Sequence, residues 1–591
     1  MISNSPESVT TRTNGSSHPT EMPAAIEAAP VATAVSAVVG NRPLGPQGAA
    51  DRRNAALDRR VALARAQAAQ PHPVQANNGD DERYADFRGS FSKGLLHDPV
   101  TGLVDRIAYE TLRNALRTGR PDEFENLSLS GMRKFVNPQA GLAFNVEGAD
   151  SHALAMPPAP AFASDEIAAE IVENYWMALL RDVHFDDYAN SGDAMAAAAE
   201  LTSFGSDFKG LKTPVGGVDA VTPATLFRGL TPGDNAGPYI SQFLMVPVPF
   251  GAQGFDQRML TAKAGVDFGT SWQSFIEIQN GIDAGFRLAG NGNVGDFEQE
   301  PVYIRNGRDL GQYVHIDVLF QAYFNAALVL LQGPEAHSAQ NAGRTAADVL
   351  LGQMFKKDPG NPYAASVTQI GFGTFGDPYI AATLCEVAAR ALRAVWYQKW
   401  FVHRRLRPEA YAARIHTSRV GSTQFDLSPK AVNATVLDRV KTHNEARNGG
   451  LESYLLPLAF PEGSPMHPAY GAGHATVAGA CVTVLKAFFD ENQPISDVFE
   501  PVCVSSDGLS LKPYTGADAM QLTVGGELNK LASNIALGRN IAGVHWRSDG
   551  TDSLQLGEQV AIALLRDHRQ LVNERFAGYE LTTFGGQKVV I

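Results

Sequence analysis

Helical periodicity dominates the hydrophobic pattern from residue 84 onward. Apolar residues recur at the three- and four-residue spacing of an amphipathic helix in six long segments. These segments span 164–183, 318–332, 379–406, 474–490, 525–540 and 550–576. Alternating patterns typical of strands are few, and the clearest is the terminal "GQKVVI". The pattern therefore predicts an all-α fold with long connecting loops and few short strands.

The first 82 residues have a different pattern, rich in Ala, Pro, Ser and Asn. Such a composition buries too little apolar surface to offset its ordering entropy. We expect a disordered or loosely ordered arm over 1–82, in which Asp51 to Gln70 could form one short helix, and a helical domain over 83–591. Long Gly- and Pro-rich connections, such as Pro214 to Phe268, are expected to carry short elements or to line a site or interface.

Composition and charge narrow the class of protein. Of 591 residues 44% are hydrophobic and 19% charged, and no run of eighteen apolar residues occurs, so a membrane protein is not expected. The N-terminus lacks the basic-then-apolar order of a secretion signal, so we expect a cytoplasmic location by default. The net charge of −13 argues against a nucleic-acid partner. Three distant cysteines predict no disulfide framework, and Cys385 and Cys481, in apolar helical patterns, are expected to be buried.

The first candidate motif is "WYQKWFVHRRLRPEAY", residues 396–411. Lys399, His403 and Arg407 are spaced by four residues, which predicts that they share one helix face. Pro408 is expected to stop that helix. Taken alone, the motif also fits a solvated basic end of a helix, where cations are favoured by the helix dipole.

The second motif is "HPAYGAGHATVAGA", residues 467–480, with His467 and His474 around a run of small residues. The apolar run that follows predicts a buried helix beginning near His474. Free backbone N–H groups at a helix N-terminus form an anion site, and glycine lets an anion approach closely. The alternative is a tight turn that only leads into a packed helix.

The third motif is "NIALGRNIAGVHWRSDGTDSLQLGEQ", residues 534–559. A helix is predicted to end near Arg539, and the loop that follows presents His545. Asp549, four residues later, could fix the tautomer of the His545 imidazole, as a carboxylate beside a ligating histidine does. Together the motifs supply one Lys, two Arg, a Gly-rich helix start and histidines, a set suited to hold a tetrahedral oxyanion.

These motifs resemble the signature of the vanadium-dependent haloperoxidases, in their bacterial and red-algal bromoperoxidase branch. "RKFVNPQAGLAFNVEGADSHALAMPPAPAF" and "DAMQLTVGGELNKLASNIALGRNIAGVHWRSDG" resemble that branch outside the active-site residues. Seven residues separate Lys399 from Arg407-Pro408, as in the algal-type enzymes, whereas related phosphatases and fungal chloroperoxidases have six. The resemblance implies two four-helix bundles, a vanadate cofactor and a homo-oligomer, either a dimer or a larger shell of dimers.

The resemblance also implies a role for each motif residue. His545 would be the axial vanadate ligand, and Lys399, Arg407, Arg539 and the Gly473 amide would hold the equatorial oxygens. His474 would be the acid–base group. His467 matches the second histidine that bromide-preferring members carry where chloride-using ones have an aromatic residue. Trp396 matches a position that lines the halide pocket and varies between members.

One position departs from the family pattern. Most members carry a Ser before the Gly-His pair, and its hydroxyl donates to an equatorial vanadate oxygen, but this chain has Ala472. A hydrogen bond to a charged group contributes roughly 1.5–3 kcal/mol, so weaker vanadate binding is expected.

The expected reaction is oxidation of bromide, and of iodide, by hydrogen peroxide to a hypohalous-acid equivalent that halogenates small organic nucleophiles. Two alternatives remain open. The first is an acid phosphatase in which the same oxyanion-binding residues, here called the cage (Lys399, Arg407, Arg539 and the Gly473 amide), hold phosphate and His545 is the nucleophile. The second is a non-enzymatic oxyanion-binding or assembly protein in which Ala472 marks a decayed site.

Overall fold

The computed structural model describes residues 48–282, 297–334 and 355–591. Its α-helices, α1 to α16 in chain order, are Ala49–Ala68, Asp80–Arg83, Arg106–Thr118, Pro121–Glu125, Asp165–Leu179, Gly192–Ser203, Trp272–Gln279, Gly307–Ile316, Gln321–Gln332, Asp377–Tyr397, Pro408–Arg419, Pro429–Val432, Val436–Arg447, Gly473–Phe488, Val524–Ile541 and Arg547–Leu571. The prediction of an all-α fold is confirmed, and all six predicted helical segments contain a helix.

The strands within the described ranges form four small antiparallel hairpins. They pair Thr213–Val215 with Val218–Ala220, Val248–Phe250 with Gln253–Phe255, Val502–Val504 with Leu511–Pro513, and Glu580–Thr582 with Lys588–Val590. The first two hairpins lie in the Gly- and Pro-rich connection from 214 to 268, which was expected to carry short elements. The last contains the strand predicted at the C-terminus.

Helix α14 lies at the centre of a four-helix bundle with α10, α15 and α16. Nearly all of its side chains are buried, as its apolar composition on every face requires. Helix α10 buries Ile380, Leu384, Val387 and Ala391, which recur at helical spacing on one face. A second group of helices is arranged around α5, which contacts α6, α11, α12 and α13.

Two glycines allow the backbones of α14 and α16 to touch. A Cβ at Gly557 would overlap the backbone oxygen of Thr476, and one at Gly479 would overlap that of Leu554. This close approach fixes the position of α14 relative to α16, the two helices whose N-terminal ends border the candidate site.

Part of the predicted N-terminal arm is ordered against the helical body. Helix α1 covers most of the segment proposed for a short helix, and Gln67 donates to Asp567 at 2.7 Å. Gln75 donates to the carbonyls of His152 and Leu154 at 3.2 and 2.8 Å. The expectation of a loosely ordered arm is therefore corrected for residues 48–82, because side-chain hydrogen bonds replace the apolar burial that its composition lacks. Residues 1–47 lie outside the described residues, and the division into domains at residue 82 stays a prediction.

The cysteines are free, and Cys481 is buried as predicted. Cys385 is exposed, so its expected burial is wrong, because it lies beside the apolar face of α10 and not within it.

Among the described helices, no single one is long and apolar enough to span a membrane. Helices α8 and α9, which meet at a bend, reach that length and apolar composition only when they are taken together.

The glycine contact between α14 and α16 generates a stability prediction. Gly557→Ala is expected to lower the free energy of unfolding by about 1–3 kcal/mol, because the methyl group forces two packed helices apart. Gly192→Ala in α6 is the matched control, since a Cβ there meets nothing within 4 Å. Thermal melting at a fixed scan rate measures both variants. Equal melting temperatures for the two would contradict this account of the helix crossing.

Candidate active site

The predicted site residues meet at one end of the four-helix bundle. Lys399 follows α10, and Arg407 immediately precedes α11. Gly473 begins α14, Arg539 lies in the last turn of α15, and His545 is in the loop before α16. Five helix termini therefore supply the site, and the rigid bundle fixes where each begins or ends.

The chain changes conformation between Lys399 and Arg407. Residues Gln398–His403 form a π-helical turn, and Arg404 adopts a left-handed conformation with φ of 45°. Pro408 then begins α11. The prediction that Lys399, His403 and Arg407 share one helix face is therefore wrong, as is the prediction that Pro408 ends the helix. A proline at a helix start needs no N–H acceptor, so it suits that position.

His403 is buried away from the cage. Its ring lies edge-on to Tyr470 at 4.7 Å, and neither ring nitrogen has a hydrogen-bond partner among the described residues. Burial lowers the pKa of His403 to about 3, so the imidazole is neutral there.

Arg407 connects three of the contributing segments. Its guanidinium donates to the carbonyl of Val544 at 2.7 Å and to the carbonyl of His467 at 2.7 and 3.0 Å. It also donates to His545 Nε2 and to His467 Nδ1, each at 2.9 Å. Because guanidinium only donates, both of these imidazole nitrogens must be acceptors.

His545 is held in one tautomer from both sides. Its Nδ1–H donates to Asp549 Oδ2 at 2.8 Å, and Asp549 also accepts from Arg405 and from the Trp546 amide. Burial, reinforced by the charges of Arg407 and Lys399, lowers the pKa of His545 well below its usual value. The neutral ring therefore carries its lone pair on Nε2, where it accepts from Arg407 at 2.9 Å.

Lys399 and Arg539 are anchored mainly by backbone carbonyls. Lys399 Nζ donates to the carbonyls of Pro468 and Ala469 at 2.8 and 3.2 Å. Arg539 Nη1 donates to the carbonyl of Val314 at 2.6 Å, and its Nε has no partner among the described residues. Each side chain thus keeps at least one N–H available for a ligand.

The three cage cations form no ion pair with a carboxylate within the described part of the chain. Burial lowers the pKa of Arg407 to about 9 and that of Arg539 to about 10, and it lowers the pKa of Lys399 well below its usual value. Arg405 is equally buried, but Glu170 and Asp549 outweigh the effect of burial and raise its pKa. The contrast indicates that the cage is built for an anion that the protein itself does not supply.

His474 contacts an aspartate that the sequence motifs did not include. Its Nε2 lies 3.0 Å from Asp317 Oδ1, just after α8, and its side chain is 19% exposed. Burial opposes ionisation of Asp317, but the charges of His474 and Arg539 outweigh it and lower the pKa of that carboxyl. Burial lowers the pKa of His474, while Asp317 acts in the opposite direction.

His467 and Trp396 form one wall of the cage. Their ring centroids are 4.9 Å apart, and the Trp396 indole donates to the carbonyl of Val136 at 2.8 Å. A Cβ at Gly473 would lie only 3.2 Å from Trp396 Cζ3, so a side chain at the start of α14 would crowd this ring.

Ala472 is the N-cap residue of α14 and makes no side-chain capping hydrogen bond. Its amide donates to Ser553 Oγ at 2.8 Å, and it is 1% exposed. The first amides of α14, including that of Gly473, have no intrahelical acceptors and are open to an anion.

Sequence reasoning missed Asp317, Ser553 and the Arg405–Glu170 pair. Asp317 and Ser553 carry no signal of their own, because their role depends on tertiary contacts with distant segments. Arg405 lies within the first motif, and its position beside Arg407 could have suggested a second buried guanidinium.

Comparisons with known proteins agree with this geometry. Residues 380–574 match the family model described as the VCPO second helical-bundle domain. The chain is 35% identical to a vanadium-dependent bromoperoxidase of Corallina officinalis, over 91% of this chain and 98% of that protein. Against the enzyme of the same name from Corallina pilulifera it is also 35% identical, over 87% and 93%.

A solved structure extends the similarity to the whole fold. The homohexameric vanadate-dependent bromoperoxidase of Ascophyllum nodosum superimposes with a TM-score of 0.79 at 30% identity. The alignment covers 92% of this chain and 90% of that one. Together with the buried basic cage and the tautomer of His545, these similarities show that the chain belongs to the vanadium-dependent bromoperoxidase family.

Proposed function

We propose that this protein uses vanadate and hydrogen peroxide to oxidise bromide and iodide, giving a hypohalous-acid equivalent that halogenates small organic nucleophiles. The observation that carries the proposal is the convergence of three buried, unpaired cations, Lys399, Arg407 and Arg539, around the Nε2 lone pair of His545. The bromoperoxidases similar to this chain support the same reaction.

The residues present fit a vanadate ion. A tetrahedral oxyanion needs positive charge and N–H donors around its oxygens and, for coordination, a neutral nitrogen on one side. The cage offers Lys399, Arg407, Arg539 and the Gly473 amide as donors, and His545 Nε2 as the ligand. The unpartnered Nε of Arg539 is a buried donor that such an ion would satisfy. When bound, vanadate supplies a Lewis-acidic centre at which peroxide becomes electrophilic towards halide.

The protein residues around this centre have separate tasks. Asp549 keeps the proton of His545 on Nδ1, so that Nε2 keeps its lone pair. Arg407 donates to that lone pair and would turn to an oxygen of the ion when Nε2 becomes the ligand. Asp317 binds Nε2 of His474 and leaves Nδ1 of that ring to accept and return a proton as peroxide arrives. Lys399 keeps an N–H for an oxygen in the cage and adds positive charge that favours anions.

His467 and Trp396 are proposed to line the side from which halide approaches. Arg407 donates to His467 Nδ1, so the ring proton lies on Nε2, where it can donate to an anion. The oxidised halogen can leave as a diffusing species, which requires no organic-substrate pocket.

The chain is proposed to form a homo-oligomer, as the hexameric relative from Ascophyllum nodosum does. A dimer, or a larger shell of dimers, is the finer arrangement proposed. A phosphatase remains the rival reaction for the same cage, with His545 as nucleophile.

Cofactor removal tests the proposal directly. Protein dialysed against a chelator at acidic pH is expected to lose peroxide-dependent bromination and to regain it with orthovanadate, but not with iron, copper or zinc salts. Phosphate is expected to compete with vanadate, since both are tetrahedral oxyanions. His545→Ala should abolish bromination, whereas His72→Ala, at an exposed position, should not. Full bromination by vanadium-free protein would refute the proposal, and hydrolysis of phosphate esters without bromination would favour the phosphatase.

The contact between His474 and Asp317 predicts slower bromination in two variants, with a larger effect for His474 than for Asp317. His474→Ala should slow bromination by about 10²–10⁴-fold, the usual contribution of a general acid–base group. Asp317→Asn should slow it by roughly 10–100-fold, because the ring loses the carboxylate that orients it. Vanadate titrations should show that both variants still bind the cofactor. Wild-type turnover in either variant would show that its role is misassigned.

Ala472→Ser tests the departure from the family pattern. The added hydroxyl should lower the dissociation constant for vanadate by roughly one to two powers of ten, from a hydrogen bond of about 1.5–3 kcal/mol to a charged partner. Vanadate titration followed by recovery of bromination measures the change. Ala469→Ser, in the preceding turn, is a control for adding a hydroxyl nearby. Weaker vanadate binding in Ala472→Ser would mean that the buried site rejects the hydroxyl, and the cage model would fail there.

A further inference from the structure

A second cluster of ligating side chains lies far from the cage. Glu386 is in the middle of α10, thirteen residues before Lys399, which corresponds to about 20 Å at the helical rise of about 1.5 Å per residue. His568 lies in the last turn of α16, and Glu147 belongs to the loop that crosses both helices. The reaction proposed above uses none of these three residues.

The three side chains converge at metal-ligand spacing. His568 Nε2 lies 3.4 Å from Glu147 Oε2 and 3.7 Å from Glu386 Oε2. One ligand atom from each residue lies within 4.8 Å of the other two. Bonds of about 2.0–2.2 Å to a tetrahedral Zn²⁺ place ligand atoms roughly 3.3–3.5 Å apart. The two separations from His568 Nε2 are therefore close to those around a bound cation, and the two carboxylate oxygens lie within 4.8 Å of each other.

Neighbouring residues hold two of the three side chains, those of His568 and Glu386, and the backbone of the third. The Tyr379 hydroxyl lies 3.0 Å from His568 Nδ1, which fixes the ring and leaves Nε2 facing the carboxylates. Arg390 Nε donates to Glu386 Oε1 at 3.1 Å, so that the other oxygen, Oε2, points at His568. Arg390 also donates to the backbone carbonyl of Glu147, which holds the loop in place.

The burial of the His568 side chain is a second indication of a metal site. The His568 side chain is only 9% exposed, and its Nε2 faces both carboxylates, 3.4 Å from Glu147 Oε2 and 3.7 Å from Glu386 Oε2. The side chains of Glu147 and Glu386 are 31% and 39% exposed, which leaves a path for an ion and room for water ligands.

We propose that Glu147, Glu386 and His568 bind a divalent first-row transition cation, of which Zn²⁺ is the representative. One imidazole with two carboxylates suits such ions, whereas Ca²⁺ and Mg²⁺ prefer sites made entirely of oxygen. The bound ion would fasten the loop around Glu147 to α10 and α16, beside the contact that Gln67 of α1 makes with Asp567. Its role is to hold the fold together at a distance from the reaction.

Calorimetric titration of the full-length, chelator-treated protein with ZnCl₂ tests the proposal. We expect one saturable site per chain at micromolar Zn²⁺, unaffected by millimolar Ca²⁺ or Mg²⁺. Co²⁺ in its place should give the visible absorption of a nitrogen- and oxygen-ligated ion. Absence of saturable Zn²⁺ binding, or equal competition by Ca²⁺, would overturn the assignment.

Variants identify the ligands. Glu147→Gln, Glu386→Gln and His568→Gln should each abolish the micromolar site, and Tyr379→Phe should weaken it by roughly 10–100-fold, because that hydroxyl orients His568. His152→Gln is the matched control, since it removes a histidine outside the proposed site, one whose ring lies beside that of His72 with centroids 5.4 Å apart. Unchanged binding in the three ligand variants, or loss of binding in the control, would contradict the site.

Two further readouts separate this site from the vanadate cage. Glu147→Gln lies on a loop, so it should fold and brominate normally once vanadate is added, while it loses the thermal stabilisation that Zn²⁺ gives the wild type. His474→Gln should keep the zinc site. Failure of bromination in every protein would refute the proposed reaction alone, whereas an identical response to Zn²⁺ in wild type and Glu147→Gln would refute the metal site alone.

Discussion

The concentration of positive charge inside the bundle end is the constraint on which the rest of the structure depends. Lys399, Arg407 and Arg539 are removed from water without a carboxylate partner among the described residues. Desolvated charges of this kind are strongly unfavourable unless an opposite charge joins them. The surrounding architecture holds three such groups in place, and it does so with backbone carbonyls, which anchor the cations without neutralising them.

The carbonyl groups that anchor the cations explain why the site is built from the ends of helices. Pro468, Ala469, Val544 and Val314 expose their carbonyl oxygens because they lie where regular helical hydrogen bonding is interrupted. Carboxylates occur in the next layer of residues, where Asp549 accepts a hydrogen bond from His545. The anion-binding layer stays positive, and the acidic layer behind it sets the proton positions.

The three motifs could be predicted from the sequence because their residue types carry the chemistry directly. Lysine, arginine, histidine and a glycine-rich helix start are visible without a fold, and the structure brings together every member proposed for the cage. The position of His403 was predicted wrongly because the π-helical turn and the left-handed Arg404 break the spacing rule for ideal helices. Asp317 was beyond reach of sequence reasoning, since its partner His474 lies 157 residues away and no local pattern marks the pair.

Helix periodicity succeeded for the bundle for a related reason. Helices α10, α14 and α16 bury long apolar faces, and the spacing of apolar residues in the sequence indicates such faces directly. Residues 48–82 gave no such signal, because they are ordered by individual hydrogen bonds, such as those of Gln67 and Gln75, to elements far along the chain. Composition alone detects missing apolar burial, and it does not detect polar contacts that replace it.

The uncompensated cage also links cofactor binding to stability. The lowered pKa values of Arg407 and Arg539 mean that the folded chain holds these protons less tightly than the unfolded chain does. Below those pKa values the charged cage therefore opposes folding, and any tetrahedral oxyanion that enters it recovers the lost interaction. Ligand binding to the folded state alone stabilises it by an amount that grows with the logarithm of the free ligand concentration relative to the dissociation constant, so the anion acts as a structural component as well as a catalytic one. Ala472 has no side-chain donor to offer such an anion, while the cations that create the need for an anion are all retained.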